Sequence, residues 1–184
     1  MPVINQEPMM KTIIGDLDKR VRKLEQSPSK RPYGSFFSSS TQTAASSASV
    51  YAVECSQTAL TNFVTVVSSS RVTVARTGVY NMQFSCQLQN SGTPDYDAMF
   101  WFRHNGVDEA SSNTVITVPG KHGSVSGSAV AAWNYVIDLT AGDYMQLMWW
   151  VENTSVTMPA VAALTAPVRP AVPSVILTMV ETAW

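Results

Sequence analysis

From Ser128 to Val151 apolar side chains occupy odd and even positions alike. Ala129, Ala131, Trp133, Tyr135 and Ile137 alternate with Val130, Ala132, Asn134, Val136 and Asp138. Beyond the Leu139–Asp143 segment, Met145, Leu147, Trp149 and Val151 alternate with Tyr144, Gln146, Met148 and Trp150. Side chains two apart share a strand face, so this stretch predicts two long strands joined by a tight turn, each apolar on both faces. One face fills the core of a β-sandwich. The other needs a second cover, which in an antiparallel sheet is expected from another subunit. Tyr144, Met148 and Trp150 are the residues assigned to that contact.

The N-terminal pattern is different. Met10, Ile14, Leu17, Val21 and Leu24 are spaced 4-3-4-3, the a/d repeat of a coiled coil, with charged residues between them. A narrow a/d seam suits self-association better than a single amphipathic helix lying on the head, which would show a wider stripe. Arg20 to Glu25 resembles the short Arg-apolar-x-x-apolar-Glu signature of parallel three-stranded coils, with Arg20 at g and Glu25 at the following e. Ile14 and Val21 at a, with Leu17 and Leu24 at d, lean by themselves toward two strands, and about two heptads are too short to hold unaided. The stoichiometry therefore has to come mainly from the head. The expected organisation is an extended arm over 1–12, a short trimeric coiled coil over 13–26, a stiff linker over 27–32 and a β head over 33–184.

Across the head, short apolar runs bounded by turn residues predict strands at about 34–42, 50–55, 63–67, 71–76, 79–89, 98–104, 114–118, 128–139, 144–151, 155–163 and 174–182. Tyr80, Met82, Phe84, Cys86 and Leu88 alternate with Asn81, Gln83, Ser85 and Gln87, one core face and one wet face. Asn105-Gly106 is a tight-turn dipeptide, because both residues tolerate positive φ. Some ten strands without helices define an all-β sandwich or jelly roll.

Composition sharpens this. Charged residues make up 14% of the 184-residue chain, well below an ordinary soluble domain, and the net charge of -1 gives no nucleic-acid footprint. Residues 1–32 hold seven Lys/Arg against four Asp/Glu, so the basic charge sits at the N-terminal end. No apolar run reaches the ~18–20 residues of a membrane helix. No basic region followed by an apolar core opens the chain, and assembly in a cytoplasm is expected. Cys55 and Cys86 fall on apolar strand faces and are expected as buried free thiols.

Tyr33-Gly34-Ser35-Phe36, Gly78-Val79-Tyr80 with Phe84, Trp101-Phe102-Arg103-His104-Asn105-Gly106, Leu139-x-x-Gly142-Asp143 and a last apolar C-terminal strand follow one another in this order. Over residues 33–184 this resembles the complement-first-component and tumour-necrosis-factor globular head. Pro119 to Gly123 and Ala131 to Tyr135 are similar to the versions found in bacteriophage virion proteins. The resemblance implies a ten-stranded jelly roll forming obligate trimers, with both ends of the head at the base beside a stalk.

No catalytic constellation is evident, and no enzyme activity or cofactor is expected. Gly123-Ser124-Val125-Ser126-Gly127 has Val125 where a hydrolase nucleophile would stand. Gly120-Lys121 lacks the upstream glycine of a phosphate loop. His104 and His122 have no carboxylate or Cys at metal-ligand spacing, and no metal site is assigned. Some complement-type heads bind calcium, but Asp95 and Asp97 are read as solvated loop charges. Asn153-Thr154-Ser155 fits a glycosylation acceptor, taken as coincidental without a secretion signal.

The expected function is a trimeric virion protein, a short fibre or appendage, docked on another virion protein through residues 1–12. Its head would contact a host-surface carbohydrate. The alternative is a capsid decoration protein without a receptor role, and a signalling ligand of a cellular organism comes third. Strand alternation counted from a basal C-terminus places 166–173 and Thr140–Asp143 far from the stalk, joined by Asn90–Asp97 if 114–118 is not a full strand. Asp95, Tyr96, Asp97 and Arg169 are the candidate receptor contacts.

Overall fold

The computed structural model describes residues 7–26 and 31–183, with side chains over 10–22 and 31–182. The chain divides into two compact units, residues 1–31 and 32–184.

In the first unit a single helix, α1 (Glu7–Gln26), carries the heptad pattern. It starts earlier than expected: residues 7–12, assigned to an extended arm, are helical. Pro8 falls in the first turn, where an N–H has no intrahelical partner to lose, and Met9, Met10 and Lys11 are good helix formers. Met10, Ile13, Ile14, Leu17 and Val21 are all exposed. Arg22 Nε donates to Asp18 Oδ2 at 3.0 Å one turn back. Residues 1–6 of the arm, 27–30 of the linker and the side chains of Leu24 and Glu25 lie outside the described residues.

The second unit is a sandwich of two antiparallel sheets. Its first strands are β1 (Tyr33–Ser38), β2 (Gln42–Thr43), β3 (Tyr51–Ala52), β4 (Gln57–Asn62), β5 (Val64–Val67) and β6 (Arg71–Val74). There follow β7 (Gly78–Asn90), β8 (Tyr96–His104), β9 (Val107–Asp108), β10 (Thr114–Val118), β11 (Gly127–Leu139) and β12 (Tyr144–Val151). The last are β13 (Val156–Met158), β14 (Leu164–Thr165), β15 (Val168–Arg169) and β16 (Val175–Ala183). One sheet runs β2-β13-β7-β16-β1-β4, with β11 along the other edge of β7. The second runs β10-β8-β12-β6-β5, with β3 beside β12 and β9 beside β8, while β14 and β15 pair only with each other.

Alternation on β7 builds the core. Tyr80, Met82, Phe84, Cys86 and Leu88 are buried, and the intervening side chains face outward. Phe84 meets Phe100 and Phe102 of the second sheet at 5.8 Å each and Trp133 of β11 at 4.4 Å. Tyr135 stacks on Phe102 at 5.3 Å. Each large apolar side chain so buried contributes about 1.5–3 kcal/mol relative to exposure. Cys55 and Cys86 are free and buried, and burial pushes the Cys55 thiol up to about 12. Asn105 and Gly106 take φ values of 46° and 88° and form the two-residue turn between β8 and β9, with His104 opposite Val107.

Strand direction decides which loops share an end. Val175 lies opposite Cys86 and Ala183 opposite Val79, while Ser38 lies opposite Val175. The first strand of this unit thus begins, and the last ends, at one edge of the sheet, here termed the near end. Leu139 pairs with Gly78 there, so the turn Thr140–Asp143 is also at the near end, opposite to expectation. Counting strands as a strict up-and-down series fails because β13 and β16 both run antiparallel to β7 and therefore parallel to one another. The far end carries 90–97, 119–126 and the segment leading into β16, since Asn90 pairs with Gly127 and Val156, and Val118 with Tyr96. Residues 90–97 lie there although 114–118 is a fully paired strand.

Candidate functional site

The outward side of β12 is partly covered by the chain itself. Met148 is 3% exposed, with β3 paired alongside at Met148 and Trp149. Trp150 donates its indole N–H to the Ser47 carbonyl at 2.6 Å, and the Arg71 guanidinium lies 4.8 Å from the centre of the Tyr144 ring. The connection between β2 and β4, with Arg71 of β6, thus supplies part of the second cover that Tyr144, Met148 and Trp150 were expected to find in a neighbouring subunit. Met148 is thereby buried within the chain, while Tyr144 and Trp150 stay partly exposed.

The outward side of the other sheet is open. Val130 and Val136 on β11, Ile176 and Val180 on β16, Tyr33 on β1 and Leu60 on β4 are between 38% and 63% exposed. They share one face: Val136 pairs with Asn81 and Asn81 with Val180, while Leu60 pairs with Ser35. Between them β7 contributes Asn81, Gln83, Ser85 and Gln87. Among the described residues, Asp138 is the only charged side chain at the outward positions of β1, β4, β7, β11 and β16. Depletion of charge with retained aliphatic surface is the composition of an interface centre. The sequence held the signal, since no Lys or Arg occurs in any of these strands, but that all five adjoin follows only from the topology.

Asp95, Tyr96 and Asp97 come together at the far end as the footing of the 119–127 loop. Asp95 Oδ1 accepts the Gly120 N–H at 2.8 Å, Asp97 Oδ1 accepts the Thr117 hydroxyl at 2.7 Å, and the Asp97 N–H donates to Glu152 Oε2 at 3.0 Å. A Cβ at Gly120 would collide with the carbonyl of Thr93, so glycine lets the two loops approach. Tyr96 is half-buried and packs against the core. Arg169 stands apart from this group, on the β14–β15 ribbon opposite Leu164.

A polar cluster at the near end was not foreseen. His104 Nδ1 lies 3.4 Å from Glu109 Oε1, and Nε2 lies 3.2 Å from Asp143 Oδ2. Asp143 also accepts Asn105 Nδ2 at 2.7 Å and the Thr140 N–H at 2.8 Å, and these donors hold its carboxyl below the usual carboxylate range, the Asn105 contact first. Asp108 is lowered likewise, chiefly by Arg103 Nε at 2.6 Å. His104 and Glu109 come from the two arms of the β8–β9 hairpin, and Asp143 comes from the distant β11–β12 turn. The cluster ties the β8–β9 hairpin to the β11–β12 turn.

Among the described residues, no group of three or more His, Cys, Asp or Glu is arranged to hold a metal ion. No described helix is long and apolar enough to cross a membrane. No protein-family model matches the chain, and neither does any curated protein sequence.

Proposed function

We propose that the chain is a homotrimeric structural protein of a bacteriophage virion, a short fibre or appendage whose head is displayed outward to bind a host surface. Ile14, Leu17, Arg20, Val21, Leu24 and Glu25 form its parallel coiled coil, the head is a ten-stranded jelly roll of the complement and tumour-necrosis-factor type, and the segment up to Thr12 docks on another virion protein. The observation that carries this reading is the open face across β11, β16, β1 and β4. Six large apolar side chains lie there in a nearly charge-free field, while the interior has a full core of its own. Two further observations support it: α1 exposes its whole a/d seam over the described side chains, and both ends of the head lie at its near end. In this reading the subunits meet through the open face and not through Tyr144, Met148 and Trp150. Host carbohydrate is contacted at the far end by Asp95, Asp97 and the exposed part of Tyr96, and by Arg169 from the separate β14–β15 ribbon.

Sedimentation equilibrium at micromolar concentration tests the assembly, with three chain masses expected and a folded monomer sinking it. Adsorption tests the role. Purified protein should block attachment of the phage that encodes it, and Tyr96→Ala should weaken the block without changing the oligomer. No block at saturating protein, with the chain spread over the capsid lattice, would leave a decoration protein instead.

A further inference from the structure

Residues 161–172 form a ribbon that belongs to neither sheet. Val161 bridges Val172, Leu164 pairs with Arg169 and Thr165 with Val168, a single continuous register closed by Ala166-Pro167. Every residue from Val161 to Val168 is exposed, Val168 by 87%. Between Val161 and Pro173 only Thr165 and Arg169 carry polar side chains. A two-stranded ribbon has little stability in water by itself, and an exposed apolar projection of this kind marks a contact. At its root is a groove of about 580 Å³ lined by Phe37, Ser39, Ala160, Val161, Val172 and Pro173 among others. Its lining carries no charge. The tip cannot fold back into it, because four residues of strand carry Thr165 about 13 Å beyond Val161.

We propose that the ribbon of one copy seats its Leu164–Val168 tip in the groove of the next, so that each copy gives one tip and receives another around the trimer axis. The inference rests on the trimeric reading above and deepens it. Knob and groove are on one chain but out of each other's reach, which is the geometry of a head-to-tail contact, and the trimeric reading closes it into a ring. Both are apolar, so their chemistry matches. The groove is also continuous with the open sheet face, because Phe37 alternates with the buried Phe36 and Ser38 and so points to the outward side of β1. A tip seated there extends the same subunit boundary to the far end.

The test is a cysteine pair in the full chain, Val168→Cys at the tip and Ser39→Cys in the groove, the native Cys55 and Cys86 being buried. Mild oxidation should give disulfide-linked dimers and trimers on a non-reducing gel, and neither single variant should do so. Val168→Asp should raise the concentration for half-dissociation about tenfold or more and leave the unfolding of the head unchanged, since the side chain is exposed. A trimer by sedimentation that gives no inter-chain disulfide and dissociates like the parent after Val168→Asp overturns the clasp and leaves the trimer standing. A monomeric parent overturns both.

Discussion

β11 and β12 are joined by one turn and carry apolar side chains on both faces, yet their outward sides meet different surroundings. Beside β12 lies β3, Met148 is buried, and the loop through Ser47 takes the Trp150 indole N–H. On β11, Val130 and Val136 remain exposed, beside a row of uncharged polar residues on β7. An apolar outward face therefore reports a need for cover and not its source. The long, Ser-rich connection of residues 39–56 meets part of that need within the chain on one sheet. On the other sheet no described segment supplies such a cover over Val130 and Val136.

The largest effect expected from this difference is on assembly. Val136→Asp combined with Val180→Asp should convert the trimer to monomers with an unchanged β spectrum, because two carboxylates would be buried without partners. Trp150→Ser should leave the trimer intact. Sedimentation of both variants decides which side of the hairpin is the subunit contact, and dissociation by Trp150→Ser alone would reverse the assignment.

Next in size is the stability of the fold. Trp133 packs its core-facing ring on Phe84 at 4.4 Å and Phe100 at 6.0 Å, so Trp133→Ala should cost about 3 kcal/mol or more in chemical denaturation. Trp150→Ala removes one hydrogen bond and part of a half-buried ring, and about 1–2 kcal/mol is expected. Equal costs would mean that the cover over β12 is as rigid as the core.

Legibility followed the range of the interaction. The alternation of Tyr80 to Leu88 identified β7 and its faces, and Asn105-Gly106 its turn, because both rest on neighbours in sequence. β4 was missed: Gln57–Asn62 is an edge strand with no buried face and hence no period-2 signal. The position of Thr140–Asp143 was misjudged because it required knowing that β13 and β16 lie on the same side of β7. The His104–Glu109–Asp143 grouping had no signature, because Asp143 reaches the β8–β9 hairpin from a turn distant in sequence. The candidate contacts Asp95, Tyr96 and Asp97 were read as a loop, whereas Tyr96 and Asp97 begin β8, and the hydrogen bonds of this group to Gly120, Thr117 and Glu152 depend on a strand pairing that sequence spacing does not encode.

A smaller effect is expected from removing the helical unit. A chain of residues 32–184 should remain folded and trimeric, with a higher dissociation concentration, because about two heptads of coil add little by themselves. An unfolded product would show that the open face is insufficient without the coil.

The smallest effect concerns the turn that joins the two strands. Asp143 is held below the ordinary carboxylate range by Asn105, then by the Thr140 N–H, with His104 adding to both. A depressed folded value means that the stabilisation is fully present above the ordinary carboxylate range and is lost as the pH falls through the folded value. Asp143→Asn keeps the shape and removes the charge, at a cost of about 1 kcal/mol at neutral pH for a partly exposed group. Urea midpoints of parent and variant should therefore differ at pH 7 and converge as the pH is lowered through the acid range. No difference at pH 7 would mean that Asp143 acts by filling its place between Asn105 and Thr140 and not by its charge. The β11–β12 junction would then be fixed by packing alone.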